Sequence, residues 1–408
     1  MATDRKRSTF ALLALALSAF AIGTTEFISV GLLPMIAEDL DISVTTAGLT
    51  VSIYALGVMF GAPVLTSLTS NMSRKSLLLW IMVVFIAGNT MAALAGTVGL
   101  LLVARVISAL AHGIFMAIGA TIAADLVPSH KRASAIAIMF TGLTVATVTG
   151  VPFGTFIGQL FGWRFAFFTI VIIGVIALIG NSILVPPDLP KGARTTFGDQ
   201  LKLFTNGRLL LVFIITALGY GGTFVVFTYL SPLLQEVTGF KSGTVTLILL
   251  VYGLAIAAGN TIGGKLSNRN PINALFYMFL IQAVILVVLA FTAPFKVAGL
   301  ITILLMGLFA FMNVPGLQVY VVMLAERFVP SAVDVASAIN IAAFNAGIAL
   351  GAYFGGLIAE SFGLIHTAWA GGLMVFAAVI LTGWSRLLER KSLSKEMPPH
   401  PVQDAQLG

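Results

Sequence analysis

Three ionisable side chains lie inside apolar stretches of the sequence, where charges are rare. Glu26 interrupts an apolar run from Phe10 to Pro34, and Arg105 and His112 interrupt a second run. A charge at the centre of a membrane costs about 3 kcal/mol on insertion scales, so such residues usually have a function. A carboxylate that loses a cationic partner, or the water around it, takes up a proton more readily. We therefore interpret Glu26, Arg105 and His112 as a proton-coupling site.

The apolar stretches around these residues predict an all-α polytopic membrane protein. Of the 408 residues, 59% are hydrophobic and only 9% are charged, which is too apolar a composition for a soluble fold. About 20 apolar residues are needed to cross the hydrocarbon core as a helix. Runs of this length predict twelve transmembrane helices, numbered here as spans 1 to 12 and centred near Ser18, Leu56, Phe85, Ala111, Val145, Val171, Leu218, Gly253, Ile285, Gly307, Gly347 and Val375.

The basic residues predict the orientation of these spans. Eighteen Lys and Arg residues fall at the termini or in alternate connections, whereas only Arg164, Lys241 and Lys296 fall in the opposite set. Lys and Arg accumulate in cytoplasmic loops, so both termini are expected on the cytoplasmic side of a bacterial inner membrane. The net charge of +7 then reflects topology, and no nucleic-acid partner is expected. The absence of cysteine excludes disulfides, thiol catalysis and thiolate metal sites.

A polar segment with three prolines divides the chain into two similar halves. Pro34 and Glu38 each recur 198 residues later, and the tripeptide Val127-Pro128-Ser129 recurs 202 residues later. This common offset indicates a duplicated six-span unit, which in transporters binds substrate between the repeats near the bilayer midplane. The predicted parts are a first bundle at residues 1–185, a cytoplasmic linker at 186–208, a second bundle at 209–386 and a cytoplasmic tail at 387–408.

Small residues recur every four positions in several spans. In span 5 this stripe consists of Gly142, Ala146, Gly150, Gly154 and Gly158, and shorter stripes occur in spans 2, 8 and 11. Small residues allow two helix backbones to approach closely inside a membrane. Because spans 2, 5, 8 and 11 occupy equivalent positions in the repeat, we expect these stripes to pack the two halves against each other.

Glu26 and Arg105 lie at the same predicted depth in the membrane. Each is about seven residues, or roughly 10 Å, from the outer end of its span. We expect the two side chains to pair directly or through water, either as a proton site or as a static ion pair that fixes helix packing. His112 lies seven residues after Arg105 on the same helix face. It would extend the site inward, or make a single hydrogen bond inside the bundle.

The second half carries neutral polar and aromatic residues in place of these ionisable groups. At the repeat offset, Arg105 and His112 correspond to Gly307 and Val314. Amide side chains inside a span are costly unless they are hydrogen-bonded, so they favour a polar cavity. The residues that we expect to line the substrate cavity are Phe27, Phe115, Met116, Tyr220, Phe224, Asn313, Gln318, Asn340, Phe344 and Asn345.

Four groups of residues form a recognisable set: Thr25-Glu26-Phe27 with Gly31-Leu32-Leu33-Pro34, Arg105 with His112-Gly113, Gly142 with Gly150-Val151-Pro152-Phe153-Gly154, and Asn340 with Phe344-Asn345-Ala346-Gly347. Together they resemble the major facilitator superfamily over nearly the full chain. Within it, the resemblance is to the twelve-span drug/proton antiporter branch of the arabinose-efflux-permease and sugar-efflux type. It implies a fold of two pseudo-symmetric six-helix bundles. It also implies an antiporter motif, here Gly142, Gly150, Pro152 and Gly154.

One motif of this family departs from its usual pattern. In the loop between spans 2 and 3, Ser70 stands where the family has an aspartate, while Arg74 and Lys75 remain basic. The loop between spans 8 and 9 has Asn268 in place of an aspartate and keeps Arg269. The resemblance implies a cytoplasmic gate with a charge relay at these five residues. Because both aspartates are replaced, we expect hydrogen bonds from Ser70 and Asn268 to helix ends in place of that relay.

These features favour a proton-coupled antiporter that exports small organic solutes, such as drugs, sugars or related metabolites, by alternating access. The alternative is a facilitator or proton symporter for uptake of a sugar or nucleoside-like solute. An enzyme is not expected, because the sequence has no metal-spaced His, Asp and Glu cluster and no nucleophile constellation. The expected partners are a small-molecule substrate, protons and the lipid bilayer. No cofactor or metal is expected, and the protein is expected to act as a monomer.

Overall fold

The computed structural model of the chain describes residues 2–69, 72–128, 132–189, 203–267, 270–330 and 333–396. Long α-helices make up most of these ranges. In the first half they are Ala2–Asp39, Val44–Leu68, Arg74–Ala93, Val98–Asp125, Arg132–Phe161 and Trp163–Leu184. In the second half they are Gly207–Phe227, Ser242–Ser267, Pro271–Thr292, Lys296–Ala310, Val314–Phe328, Val333–Phe362 and His366–Glu396.

Twelve helical segments of these ranges are long and apolar enough to cross a membrane, which confirms the predicted fold class. Helices cross membranes because they satisfy their own backbone hydrogen bonds where no water is present. Odd-numbered spans run away from the chain termini and even-numbered spans return. We call the end of the bundle with Arg74 and Asp125 the terminal end, and the end with Asp39 and Arg164 the distal end.

Span 10 is broken near its middle. Its first helix ends at Ala310 and its second begins at Val314, so Phe311 and Asn313 lie in the break. Pro315 lies in the first turn of the second helix. Proline has no N–H, and its ring clashes with the carbonyl four residues earlier, here that of Phe311. The irregular backbone is buried inside protein, which is where membrane proteins tolerate it.

The two ends of the second bundle differ from the prediction. The last helix continues to Glu396, whereas the sequence placed the end of the bundle at residue 386. The extra residues include strong helix formers such as Leu387, Leu388 and Glu389, and the first proline of the tail occurs only at position 398. Span 7 begins at Gly207, within the predicted linker, of which residues 190–202 lie outside the described ranges.

The duplication is visible in a matched pair of buried hydrogen bonds. Thr25 of span 1 donates to Asn89 Oδ1 of span 3 over 3.2 Å. In the second half, Gln282 Nε2 of span 9 donates to Thr223 of span 7 over 3.1 Å. Thr25 and Thr223 are 198 residues apart, the offset of the repeat. The same pair of spans is therefore joined at the same level in both bundles, although the amide side chain differs.

The small-residue stripes of spans 5 and 11 pack mainly within each half, so the prediction that these two stripes pack the halves against each other is wrong. For the stripe of span 8 it is confirmed at Gly253, which faces the Val148 carbonyl of span 5. Gly142 faces the backbone carbonyl of Ala16, and a Cβ on Gly150 would lie 3.3 Å from the Cα of Thr24 in span 1. Gly347 of span 11 likewise faces the backbone of span 7. Close backbone approach thus occurs between spans 1 and 5 and between spans 7 and 11. Gly57 and Gly61 of span 2 also face their own half, at span 4.

Contacts between the two halves run along spans 2 and 11 and along spans 5 and 8. At the distal end, Gln159 Nε2 donates to the backbone carbonyl of Ser242 over 2.9 Å and to its hydroxyl over 2.8 Å. On the opposite side of the bundle, Thr45 donates to the carbonyl of Gly356 over 3.1 Å. These hydrogen bonds join the distal ends of the halves, so the central site is closed from that end.

Candidate functional site

Arg105 is fully buried and binds the backbone of two neighbouring spans. Its Nη1 donates to the carbonyl of Thr25 over 2.7 Å, and its Nη2 donates to that of Glu26 over 3.4 Å. Its Nε donates to the carbonyl of Thr50 in span 2 over 3.1 Å. The planar guanidinium suits this task because it holds several donors in a fixed fork. Arg105 therefore joins spans 1, 2 and 4 at the level of Glu26.

The predicted ion pair between the Glu26 and Arg105 side chains is absent from this conformation. Among the described side chains, no Glu26 oxygen lies within 4.0 Å of an Arg105 nitrogen. Arg105 does contact the predicted segment, but through the carbonyl of Glu26 and that of Thr25. The reason is geometric, because the guanidinium donors are already directed at main-chain carbonyls of both spans. The Glu26 carboxylate is left as an acceptor at the edge of a cavity.

Tyr54 connects Arg105 to His112, a link that the sequence did not reveal. The Arg105 guanidinium lies 4.0 Å from the centre of the Tyr54 ring, and the Tyr54 hydroxyl shares a 3.1 Å hydrogen bond with His112 Nδ1. His112 thus joins the site through Tyr54. The repeat could have pointed to Tyr54, because Tyr54 and Tyr252 are 198 residues apart and therefore equivalent in the two halves. An aromatic residue kept in both halves points to a shared structural position.

The Glu26 carboxylate faces a small cavity between the two halves. The cavity has a volume of about 10 Å³, which is close to the space needed by one water molecule. Spans 1 and 2 of the first half and spans 7 and 11 of the second half contribute its walls. The lining residues are Glu26, Phe27, Val30, Val51, Tyr54, Ala55, Phe224 and Ile348. Because ligand sites are usually above about 300 Å³, a solute can enter only after the halves move apart.

Aromatic side chains of the second half cover this cavity. Tyr220 lies 5.0 Å from Phe224 and 4.9 Å from Phe344, measured between ring centroids. Phe311, in the break of span 10, lies 5.2 Å from Tyr220 and 6.1 Å from Phe27 of the first half. The structure therefore brings together the predicted residues Phe27, Tyr220, Phe224 and Phe344. It adds Phe311, which sequence reasoning missed because the break in span 10 was not predicted.

The predicted amide residues divide into two groups. Thr216 donates to Asn340 over 2.8 Å, and Asn340 donates to Gln318 over 2.9 Å, so these side chains satisfy one another within the second half. Asn313 and Asn345 are different. Each uses its Nδ2 on a nearby carbonyl, while its buried Oδ1 has no hydrogen-bond partner among the described residues. An unsatisfied buried acceptor is costly, so these two oxygens are the better candidates for contacting a solute.

The two remaining cavity candidates lie elsewhere. Phe115 is fully buried in the core of the first half, and Met116 is partly buried and packs against the same core. Neither belongs to the residues that line the cavity beside Glu26. Their sequence neighbours are apolar on every side, so sequence alone did not identify the face of span 4 that points to the centre. That face carries Arg105 and His112.

Two of the residues predicted for a cytoplasmic gate, Arg74 and Lys75, are described, and both bind other residues of the first half. Arg74 forms an ion pair with Asp125 at the end of span 4, and Lys75 Nζ donates to the carbonyl of Ser182 over 2.8 Å. Both contacts stay within the first half. The other predicted gate residues, Ser70, Asn268 and Arg269, lie outside the described residues. Among the described residues, no three His, Asp or Glu side chains lie close enough to hold a metal ion.

The stretch of span 5 that was predicted to be an antiporter motif contacts the second half at the carbonyl of Val148. Pro152 lies inside the helix of span 5 and has no N–H, so the carbonyl of Val148 lacks its usual intrahelical donor. Gly253 of span 8 faces this carbonyl, and a Cβ on Gly253 would lie 3.1 Å from the Cα of Val148. A glycine at this position therefore allows the two halves to approach.

Replacing Gly253 with valine is expected to push span 8 away from span 5, because the new side chain overlaps the Val148 carbonyl. Spin labels on cysteines introduced at the exposed positions Leu160 and Leu247 would report a longer distance, and the chain has no native cysteine to interfere. Gly243→Val is the matched control, since a Cβ there meets nothing within 4 Å. Identical distance distributions in the two variants would contradict this role for Gly253.

The sequence matches the family model of the Major Facilitator Superfamily over residues 15–327. It is 78% identical over 391 residues to the MFS-type transporter YtbD of Bacillus subtilis (strain 168), covering 96% of this chain and 99% of that protein. It is 38% identical over 373 residues to the inner membrane transport protein YdhP of Escherichia coli (strain K12), covering 91% and 95% of the two chains. Both similarities extend across the two halves.

The fold is also similar to a solved structure, that of a bacterial homologue of the human lysosomal transporter Spinster in an inward-facing and unoccupied conformation. The TM-score is 0.72, and the match covers 96% of this chain and 99% of that one. The sequence identity is 17%, so this similarity concerns the fold alone.

Proposed function

This chain belongs to the major facilitator superfamily and is a multi-pass membrane transporter, and from this premise we propose that it is a proton-coupled antiporter. It exports small organic solutes by alternating access between its two halves. One observation carries the proposal: the Glu26 carboxylate lies at a cavity between the halves without an ion pair, while Arg105 is bound to backbone carbonyls. A carboxylate in this position can bind a proton and a solute in turn, so that each replaces the other.

The exchange follows from the cost of moving a charge through an apolar site. When Glu26 is protonated, the site is uncharged and the transporter can pass through its closed conformation. When Glu26 is ionised, the transporter can do so only if a bound solute provides a cation or hydrogen-bond donors to the carboxylate. Proton and solute then compete for the same carboxylate. This competition makes the inward movement of a proton depend on the outward movement of a solute.

The predicted orientation and the closed distal end fit the step in which an exporter takes up its solute from the cytoplasm. The excess of Lys and Arg at the terminal end favours cytoplasmic termini. The relative YdhP is described as an inner membrane transport protein. With this orientation, the hydrogen bonds of Gln159 and Thr45 close the extracellular end, and a solute would enter from the cytoplasm.

The site favours solutes with an apolar or aromatic body and a few hydrogen-bond donors. Tyr220, Phe311 and Phe344 offer ring faces and edges, which pack well against flat or apolar groups. The free Oδ1 atoms of Asn313 and Asn345 would accept hydrogen bonds from hydroxyl or amino groups. Drugs, sugars and related metabolites fit this description.

The proposal is tested in proteoliposomes under an imposed pH gradient. A thermal-shift panel of arabinose, uridine, chloramphenicol and tetraphenylphosphonium first selects the solute that raises the unfolding temperature most. Liposomes with an acidic lumen in alkaline buffer should then accumulate this solute, because protons leaving the lumen drive it inward. Expulsion of the solute under the same gradient would instead indicate proton symport and overturn the proposal.

A further inference from the structure

Spans 9 and 12 pack along each other, and the shallow surface groove between these two helices contains an arginine whose hydrogen bonding is incomplete. Arg386 lies near the terminal end of span 12, with its guanidinium 5.4 Å from the ring centre of Phe276 and 5.8 Å from that of Tyr277. Its Nε atom is buried and has no hydrogen-bond partner among the described residues. A buried donor without a partner carries the full cost of its lost hydration. The groove therefore holds a cation that lacks an acceptor.

Outward-facing side chains form the two walls of this groove. They recur every three or four residues, so each set lies on one face of its helix. Tyr277 and Trp384 are 54% and 55% exposed, although both are large and aromatic. Such aromatic residues are typical of the headgroup level of a bilayer. The wall residues are Tyr277, Ile281 and Val284 on span 9 and Ile380, Trp384 and Leu387 on span 12.

The nearest acid on the same helix is engaged elsewhere. Glu389 accepts a 3.1 Å hydrogen bond from the hydroxyl of Tyr320 in span 10, and Tyr320 also shares a hydrogen bond with Ser385. These contacts face the interior of the second half, whereas Arg386 stacks on the rings of span 9. Within the described part of the chain, no ion pair of Arg386 is present. The described part of the chain thus places no anion at Arg386, which leaves it available to an anion of the membrane.

We propose that this groove binds the headgroup of an anionic phospholipid from the leaflet at the terminal end. The phosphate diester accepts hydrogen bonds from the Arg386 guanidinium, which matches phosphate geometry well. The acyl chains lie along the exposed side chains of the two walls. Basic positions between transmembrane helices at this level recognise anionic lipids through the same combination of charge and apolar surface. The site is separate from the central cavity and does not depend on the transport proposal.

Native mass spectrometry of the full-length protein tests this site with phosphatidylglycerol and phosphatidylcholine of equal acyl chains. The wild-type protein should bind phosphatidylglycerol more tightly. Arg386→Gln should weaken that binding by roughly fivefold, the effect expected for one arginine at an anionic surface. Phosphatidylcholine binding should weaken less, because the choline cation offsets the charge of its phosphate, so the preference for phosphatidylglycerol falls. Arg390→Gln is the matched control, because it removes the same charge one turn away and should have little effect.

Two results would overturn the proposal. One is unchanged phosphatidylglycerol binding in Arg386→Gln. The other is an equal loss in Arg390→Gln, which would indicate a diffuse attraction to the whole basic end. Arg386→Lys keeps the charge but loses the planar pair of Nη donors that fits a phosphate. It is a second variant in case the glutamine variant does not fold. It should bind phosphatidylglycerol less tightly than the wild type, and unchanged binding in this variant would also count against the site.

Discussion

Replacing Glu26 with glutamine is expected to abolish solute accumulation driven by a pH gradient, down to the level of empty liposomes. The glutamine side chain has almost the same size and keeps a carbonyl oxygen at the cavity, so the packing around it should survive. It cannot ionise, and proton and solute then have no shared carboxylate for which to compete. The measurement is accumulation of the selected solute in proteoliposomes with an acidic lumen.

Two controls separate loss of coupling from loss of folding. Glu38→Gln makes the same change at an exposed position at the distal end of span 1, and it should accumulate solute like the wild type. Exchange of labelled for unlabelled solute without a pH gradient should persist in Glu26→Gln, because it requires no net proton movement. Full gradient-driven accumulation by Glu26→Gln, with an unchanged pH dependence, would remove Glu26 from the mechanism.

Replacing Arg105 with methionine is expected to abolish the same accumulation while changing thermal stability little. Three interhelical hydrogen bonds are lost, each worth about 0.6 kcal/mol inside a membrane. The contact with the Tyr54 ring adds about 2 kcal/mol when it is shielded from water. Removing a charge from the centre of the membrane returns about 3 kcal/mol. The gains and losses nearly cancel, so stability alone does not explain an arginine here.

Transport and unfolding temperature, measured together, distinguish an arginine that takes part in transport from one that only fixes helix packing. If Arg105 positions spans 1 and 2 for proton exchange at Glu26, transport falls while the unfolding temperature measured in detergent stays close to that of the wild type. Arg105→Lys should also lose most transport, because one ammonium cannot reach carbonyls of both spans. A large fall in the unfolding temperature, together with retained transport, would show that Arg105 serves only packing.

The sequence was sufficient for the fold and for the level of the central site. Hydropathy and length predicted twelve spans, and the family resemblance is confirmed by the matches to known transporters. Counting residues from the ends of spans 1 and 4 placed Glu26 and Arg105 at one depth. That argument works because a helix rises by a fixed amount per residue, so depth depends only on position along the span.

The side-chain partners could not be predicted in the same way. Charge suggested that Arg105 would bind the Glu26 carboxylate, yet carbonyls of Thr25, Glu26 and Thr50 occupy its donors. Every residue offers a carbonyl, so no sequence pattern marks these three. Tyr54 was overlooked because an aromatic residue within an apolar run looks like lipid-facing or core packing. The direction of the span 5 stripe was misread because small residues allow close approach without specifying the partner helix.

The central claim is that solute and proton move in opposite directions through a site that depends on Glu26. The most direct test uses proteoliposomes with a pH-sensitive dye in the lumen and no initial gradient, to which the selected solute is added outside. As solute enters, protons should leave, so the lumen of wild-type proteoliposomes becomes more alkaline while that of Glu26→Gln does not change. Acidification of the wild-type lumen, or equal alkalinisation in Glu26→Gln, would contradict the claim.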